Sequence, residues 1–203
     1  MSPVNSSVNE ITEIIAIFQD RPDSPHLASR LGVSRYVKMA DKIKKILPKG
    51  KILDWGSGCG QMSYLLKNRG FEVTSYEVAA GCRPLLENIG QPVIVGTDPV
   101  KLPFPVASFD GVLSSGVLEH VRDDKASLKE ISRILKTRGY FLIFMLPNKY
   151  SYVEFISDCL GRGDHPIKYS VGGITRLLER DGFKVLATGY QNDSYNVTIT
   201  AGQ

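Results

Sequence analysis

The order of apolar and polar positions divides this chain into helical patterns at the start and alternating strand-like and helical patterns afterwards. Apolar residues recur at helical spacing over 11–18, and a second helical face covers 36–47. Ser7 and Glu10 have the spacing of a capping box, which predicts that the first helix starts there. We therefore expect an N-terminal helical cap over residues 1–48, ahead of the first strand.

From residue 51 onward, short β-rich runs alternate with helical patterns, which is typical of βαβ units and a mostly parallel sheet. Residues 140–146 are apolar at every position, which suits a central strand that is buried on both faces. The last two runs are close enough in sequence for an antiparallel pair. Strands are predicted over 51–55, 72–77, 92–97, 111–114, 140–145, 183–190 and 197–200. Helices are predicted over 61–68, 82–88 and 125–136, and are expected to end at Gly70, Gly90 and Gly139.

These elements predict an α/β fold: a Rossmann-like, doubly wound, seven-stranded sheet, mostly parallel with an antiparallel C-terminal strand, plus N-terminal helices. A length of 203 residues suits one domain. We expect residues 1–203 to form it, with a Rossmann-like core over 51–203 and a lid insertion at about 148–169.

Composition and charge exclude several classes of protein. An apolar content of 42% and a charged content of 23% are ordinary for a globular domain. The net charge of +4 is scattered along the chain, which argues against a nucleic-acid partner. The three cysteines form no C-x-x-C pair, and no apolar run approaches the roughly 20 residues of a membrane span. We therefore expect a cytoplasmic protein without a membrane span; the oligomeric state is not predicted.

The strongest local signal is a glycine-rich turn that follows the first predicted strand, Asp54-Trp55-Gly56-Ser57-Gly58-Cys59-Gly60. Glycines allow backbone to pass close to a ligand, and the carboxyl ends of the strands form the ligand crevice of a doubly wound sheet. A dinucleotide fingerprint, G-x-G-x-x-G, would need a glycine where this chain has Gln61. The turn reads G-x-G-x-G instead.

This turn, with Asp54 two residues before its first glycine, resembles motif I of the class I S-adenosylmethionine-dependent methyltransferases. Residues 104–121 are similar to the F-P-x-x-S-F-D to V-L-E-H-V stretch of the small-molecule, ubiquinone/menaquinone biosynthesis-like subgroup. The resemblance covers residues 51 to about 144. It implies an enzyme that uses S-adenosyl-L-methionine as cofactor and methylates a small-molecule, lipid or sugar acceptor.

The resemblance also implies roles for individual residues around the cofactor. Glu77, at the end of the second strand, would accept hydrogen bonds from both ribose hydroxyls, and Asp98 would accept one from the adenine amino group. The glycine turn and the residues after the fourth strand would hold the methionine part. The implied cofactor-binding set is Asp54, Gly56, Ser57, Gly58, Gly60, Glu77, Asp98, Ser115 and Gly116.

Catalysis is less closely constrained by the sequence. A general base is needed only if the acceptor is a poorly acidic hydroxyl or a protonated amine. His165 is the preferred candidate, ahead of His120, which in the family more often supports the cofactor loop. Catechol-type relatives hold magnesium through an aspartate after the fourth strand, where this chain has Ser114-Ser115-Gly116, so we expect metal-independent transfer. Predicted acceptor contacts are His26, Arg35, Tyr36, His165 and Tyr169.

Two other functions stay open at this point. One is a methyltransferase-fold protein that binds the cofactor without independent catalysis. The other is an NAD-linked oxidoreductase, which would need a glycine at position 61 and a catalytic Tyr-x-x-x-Lys or an equivalent dyad, and neither is evident.

Overall fold

The structure is a computed structural model, and it describes residues 3–18, 25–79, 87, 90–151, 167–191 and 196–202. The helices are α1 (Pro3–Phe18), α2 (Arg30–Ile46), α3 (Gln61–Asn68), α4 (Asp124–Ile134) and α5 (Val171–Arg180). The strands are β1 (Lys51–Trp55), β2 (Glu72–Glu77), β3 (Val93–Val95), β4 (Phe109–Ser115), β5 (Leu135–Pro147), β6 (Lys184–Gln191) and β7 (Asn196–Gly202). Short 3₁₀ turns span Pro25–Ala28 and Leu118–His120.

The strands form one sheet in the order β3-β2-β1-β4-β5-β7-β6. The pairs β3-β2, β2-β1, β1-β4 and β4-β5 are parallel, whereas β7 is antiparallel to both β5 and β6. The mostly parallel, Rossmann-like arrangement predicted from the sequence is therefore confirmed, as is the antiparallel pairing of the last two strands. The strand order reverses between β1 and β4, which places a crevice at the carboxyl ends of these strands.

Apolar side chains cover both faces of the sheet. One cluster packs α4 and α5 against the strands and contains Leu128 and Ile174. A second cluster, which we call the α2-side core, packs α1, α2 and α3 and contains Ile14, Val37 and Leu65. Successive residues of β5 from Tyr140 to Phe144 alternate between the two clusters, as expected for a strand buried on both faces.

Charged hydrogen bonds attach the N-terminal helices to the core. The guanidinium of Arg69, just after α3, donates to Glu10 of α1 at 2.8 Å and to Asp41 of α2 at 2.7 Å. Ser29 caps α2 by accepting from the backbone N–H of Gly32 at 3.0 Å. The Arg69 contacts hold α1 and α2 against the end of α3.

The predicted start of the first helix was wrong. The helix α1 already begins at Pro3, so Ser7 lies inside it and does not cap it. Proline suits a first helical turn because it lacks the N–H that would have no partner there. The helix predicted over 82–88 lies outside the described residues, apart from Glu87.

The end of the helix before β5 also differs from the prediction. The helix α4 stops at Ile134, and β5 starts at the next residue, so Gly139 lies within a strand. The left-handed conformation predicted for Gly139 belongs instead to Arg138, with φ 65°. Gly70 and Gly90 do adopt the left-handed conformation, with φ 81° and 65°.

The predicted lid insertion is described only at its two ends. Tyr169 donates its N–H to the carbonyl of Pro147 at 3.0 Å and accepts from the N–H of Lys149 at 3.0 Å. The chain therefore leaves and returns at one point, the carboxyl end of β5. Residues 152–166 lie outside the described part. Among the helices that are described, none combines the length and the apolar character needed to span a membrane.

Candidate functional site

A cavity of about 540 Å³ opens at the carboxyl ends of β1, β2, β4 and β5. It lies at the point where the strand order reverses. Its lining consists of Tyr36 from α2; Trp55, Gly56, Gly58, Cys59 and Gln61 from β1 to α3; Tyr76, Glu77, Val78 and Pro99 from β2 and the loop after β3; Ser115, Gly116, Val117, His120 and Val121 from β4 onward; and Met145 from β5.

The glycine turn forms the part of the cavity wall that follows β1, and its backbone conformation favours glycine. Gly56, Gly58 and Gly60 have φ values of 70°, 53° and 88°, in the left-handed region. A Cβ atom at Gly56 would meet a methyl carbon of Val117 at 2.5 Å, whereas a Cβ atom at Gly58 would have nothing within 4 Å. Position 56 therefore needs glycine for packing against the protein, and position 58 leaves open space on the cavity side.

If the cofactor lies against the glycine turn, as the family resemblance implies, Gly58→Ala is expected to weaken binding of S-adenosylhomocysteine by roughly 1 to 2 kcal/mol, about 5- to 30-fold, because the new methyl group would enter the ligand's space. Isothermal titration calorimetry measures this loss. Gly70→Ala is the matched control, since Gly70 is also left-handed with nothing within 4 Å of an added Cβ, but does not line the cavity. Equal affinity losses in the two variants would contradict the assignment of Gly58 to the ligand wall.

Asp54 lies beneath the turn and not on the cavity wall. Its carboxylate is buried and accepts a hydrogen bond of 2.6 Å from the hydroxyl of Ser63, which lies 2.7 Å from the hydroxyl of Ser75. Burial raises the pKa of Asp54 to about 6, although the Ser63 hydrogen bond acts in the opposite direction. In this structure the residue supports the turn from below, by connecting β1, α3 and β2.

Glu77 ends β2 and faces the cavity with its carboxylate. Oε2 accepts from the N–H of Gly58 at 2.7 Å, and Oε1 accepts from the N–H groups of Val78 and Ala79 at 2.7 and 3.0 Å. A carboxylate offers about four lone-pair sites, so Oε2 retains one for a ligand hydroxyl. To accept from two ligand hydroxyls, the carboxylate would have to release one of the two backbone N–H groups that Oε1 binds.

Asp98 lies beside the cavity but is not part of its lining. Its exposed carboxylate accepts from the N–H groups of Lys101 and Val100, which lower the pKa of Asp98 below its usual range. The backbone of the same loop is held by two cavity residues. The hydroxyl of Tyr76 donates to the carbonyl of Asp98 at 2.6 Å, and the indole N–H of Trp55 donates to the carbonyl of Pro99 at 3.1 Å.

Four buried polar atoms at the turn and at the end of β4 lack a partner. The hydroxyls of Ser57, Ser114 and Ser115 and the side-chain carbonyl of Gln61 have no hydrogen bond to any described residue. Buried polar groups are normally hydrogen-bonded, so this group is suited to a polar ligand. Ser115 and Gln61 line the cavity, whereas Ser57 and Gly60 do not.

The end of the cavity nearest α2 contains one predicted acceptor contact and two residues that the sequence did not single out. Tyr36 lines the wall, and burial raises its pKa to about 12, although a hydrogen bond with Gln61 lowers it in part. Its hydroxyl therefore stays protonated near neutral pH. Gln61 opens α3, directly after the glycine turn, a position that could have indicated contact with a ligand. Met145 carries no comparable signal.

The candidate bases and the other predicted acceptor contacts do not all lie at the cavity. His120 lines the cavity, whereas His165 lies outside the described residues, as does the side chain of His26. Tyr169 is buried away from the lining, and its hydroxyl lies 3.4 Å from a carboxylate oxygen of Asp124. Arg35 does not line the cavity.

Comparison with known proteins shows that residues 53–143 match the protein family described as a methyltransferase domain. The ubiquinone/menaquinone biosynthesis C-methyltransferase of Xanthomonas campestris is 37% identical over 107 residues, which are 47% of this chain and 42% of that protein. The 2-methyl-6-phytyl-1,4-hydroquinone methyltransferase of Synechocystis is 27% identical over 150 residues, 67% of this chain and 47% of that one. This chain spans less than half the length of either relative.

A solved structure gives the same picture of the fold. The 1,6-didemethyltoxoflavin-N1-methyltransferase of Burkholderia thailandensis, with bound 1,6-didemethyltoxoflavin and S-adenosylhomocysteine, superimposes with a TM-score of 0.69. The match covers 100% of this chain and 91% of that one at 17% identity, a level that supports the fold alone. Residues 53–143 therefore match a methyltransferase domain, and the fold of this chain is shared with a solved methyltransferase structure.

Proposed function

We propose that this chain transfers the methyl group of S-adenosylmethionine to a small-molecule acceptor bound in the cavity at the ends of β1, β2, β4 and β5. The observation that carries the proposal is the meeting of the glycine turn, the carboxylate of Glu77 and unpartnered buried polar atoms around one cavity. Hydroxyl, ammonium and carboxylate groups on an adenosine joined to an amino acid are partners for such atoms.

The residues present fit this cofactor. Glu77 would accept from the ribose, the open side of Gly58 would lie against the ligand, and the hydroxyl of Ser115 would bond to the amino-acid part. Asp98 is proposed to reach the adenine amino group through Oδ2, because Oδ1 already accepts two backbone N–H groups. Asp54, Ser57, Gly56 and Gly60 would support the turn that makes these contacts.

The protein contributes positioning and exclusion of water. When bound, the cofactor supplies an electrophilic methyl group, so the chain has to hold the acceptor atom in line with the breaking bond. Apolar side chains of Trp55, Val117, Val121 and Met145 line the space and would exclude water from bound ligands. A protein base is required only for an acceptor that retains its proton; His120 and His165 remain the candidates for that role.

Several narrower expectations accompany the proposal. Single-domain organisation with a lid over 148–169, action in the cytoplasm, and transfer without a metal ion or a nucleic-acid partner all remain predictions from the sequence. Among the described residues, no group of three or more His, Cys, Asp or Glu side chains could hold a metal ion. The acceptor is proposed to be a small organic molecule, the class named for the two relatives compared above.

The proposal is tested by ligand binding and then by turnover. We expect the purified chain to bind S-adenosylhomocysteine and not NAD in calorimetry, because a G-x-G-x-G turn with Asp98 suits adenosine joined to an amino acid rather than a pyrophosphate. Tighter binding of NAD would overturn the proposal. Formation of S-adenosylhomocysteine from S-adenosylmethionine is then measured with a panel of phenols, hydroquinones, amines and sugars, with and without EDTA. Cofactor binding without product from any acceptor would favour a protein that binds and does not catalyse.

A further inference from the structure

Met145 has an unusual backbone for its place in the sheet. It stands near the end of β5 with φ 57°, in the left-handed region that strongly favours glycine. Non-glycine residues keep this conformation when the surrounding structure imposes it, and such residues concentrate at ligand sites. Met145 also lines the cavity.

A β-bulge explains the backbone of Met145. Ile143 pairs with Ile199 of β7, and Leu146 pairs with Val197, so β5 advances three residues while β7 advances two. One extra residue therefore lies in β5 between these pairs. Bulges of this kind turn a side chain away from the direction that strand alternation would give it.

The apolar clusters show which way the side chain turns. Ile143 and Leu146 belong to the cluster under α4 and α5, whereas Phe144 belongs to the α2-side core. Strict alternation would place Met145 on the α4 side, yet it packs on the α2-side core, next in sequence to Phe144. The bulge thus presents Met145 on the same side of the sheet as Tyr36, which lines the same cavity.

The strand order separates this region from the proposed ribose contact. Glu77 ends β2 and Met145 lies near the end of β5, with β1 and β4 between them. Three strand spacings amount to roughly 14 Å. Met145 therefore lies towards the end of the cavity opposite Glu77, where an acceptor has room beside the cofactor.

We propose that Met145, turned into the cavity by the bulge in β5, is a specificity-determining residue that binds a planar aromatic acceptor together with Tyr36. This inference rests on the proposed function, because it assigns the Glu77 end to the cofactor. A thioether contacts aromatic rings favourably through its polarisable sulfur, and a tyrosine ring stacks on them. A saturated ring of the same size gains neither contact.

The test uses the full chain saturated with S-adenosylhomocysteine and two matched probes, 1,4-hydroquinone and trans-1,4-cyclohexanediol. Both carry two hydroxyls on a six-membered ring, and only the first is aromatic. Calorimetry is expected to give a dissociation constant for hydroquinone about tenfold lower than for the diol, the size expected of a sulfur–aromatic contact and an aromatic stacking contact together. Absence of this preference would overturn the proposal.

Three variants separate the side chain from the backbone. Met145→Gly preserves the left-handed backbone and removes the side chain, so hydroquinone binding should weaken about tenfold. Met145→Leu keeps apolar volume without sulfur and should weaken it about threefold. Met39→Leu is the matched control, because Met39 is buried in the same core without lining the cavity, and it should leave the hydroquinone dissociation constant unchanged.

Separate measurement of S-adenosylhomocysteine affinity keeps this inference distinct from the proposed function. Its dissociation constant should stay within about twofold of the parent value in the three variants, since none of these residues is assigned to the cofactor. Parent-like hydroquinone binding in both Met145→Gly and Met145→Leu would overturn the role of Met145. So would an equal loss of S-adenosylhomocysteine affinity in Met145→Gly, because it would place Met145 against the cofactor. A parent chain that binds no S-adenosylhomocysteine would instead overturn the proposed function.

Discussion

Replacing Glu77 with alanine is expected to weaken binding of S-adenosylhomocysteine by roughly 1.5 to 3 kcal/mol, about 10- to 150-fold, as judged by calorimetry. A hydrogen bond to a charged group contributes roughly this much, and Oε2 of Glu77 retains one lone pair for a ribose hydroxyl. The substitution also removes the acceptor for the N–H groups of Gly58, Val78 and Ala79. Glu77→Gln keeps the shape and one carbonyl oxygen but not the charge, and should fall between the parent and Glu77→Ala.

The two roles of Glu77 are separated by an analogue of S-adenosylhomocysteine that lacks both ribose hydroxyls. If the carboxylate binds the ribose, loss of the hydroxyls should weaken binding to the parent strongly and to Glu77→Ala only slightly, a coupling that a double-mutant cycle reports. If Glu77 only holds the turn through Gly58, Glu77→Ala would weaken binding of S-adenosylhomocysteine and of the analogue by the same factor. That second result would remove Glu77 from the proposed cofactor site.

The elements of the fold were predictable where one periodic pattern covers one element. The elements β1, β2 and α3 have the predicted bounds because each contains one uninterrupted pattern of apolar and polar residues that ends at a polar residue or a turn. The antiparallel pair β6 and β7 followed from the short distance between two apolar runs. In each case the information is local, and neighbouring residues suffice to determine the structure.

The errors occur where distant pairing decides the backbone. The end of α4 is set by the pairing of Leu135 with Phe109 of β4, which starts β5 before the helical pattern has finished. Arg138 and Met145 take left-handed conformations that their residue types do not suggest. Register and bulges depend on a partner strand, so no local pattern in β5 predicts them.

The residues of the candidate site can also be divided into those that local sequence predicts and those that depend on distant pairing. Gly56, Gly58, Glu77, Ser115 and Gly116 were identifiable because each lies at or just after the end of a predicted strand, and the carboxyl ends of parallel strands meet. Met145 depends on a bulge, and the contribution of Gln61 depends on how the first turn of α3 is oriented. The burial of Asp54 under the turn could not be predicted from the sequence either, since the family motif does not distinguish a ligand contact from a supporting residue.

The burial of Asp54 predicts a pH-dependent stability with a definite sign. Burial raises the pKa of Asp54 in the folded chain to about 6, above the roughly 3.9 of an unfolded chain. Between these values the folded state binds more protons, so the free energy of unfolding falls as the pH rises from about 4 to about 6 and this contribution is constant above that range. A shift of about two pH units corresponds to about 3 kcal/mol.

Asp54→Asn should remove this dependence, because asparagine cannot ionise and still offers an oxygen to the hydroxyl of Ser63. Urea unfolding of parent and variant should give similar free energies at pH 4, and a variant more stable by up to about 3 kcal/mol at pH 8. Asp110→Asn is a control of opposite sign. Although burial acts to raise it, hydrogen bonds from the Lys51 N–H and the Lys136 ammonium hold the pKa of Asp110 below its usual value, so its stabilisation is lost as the pH falls. A difference between parent and Asp54→Asn that stays constant from pH 4 to pH 8 would mean that Asp54 ionises without penalty beneath the turn.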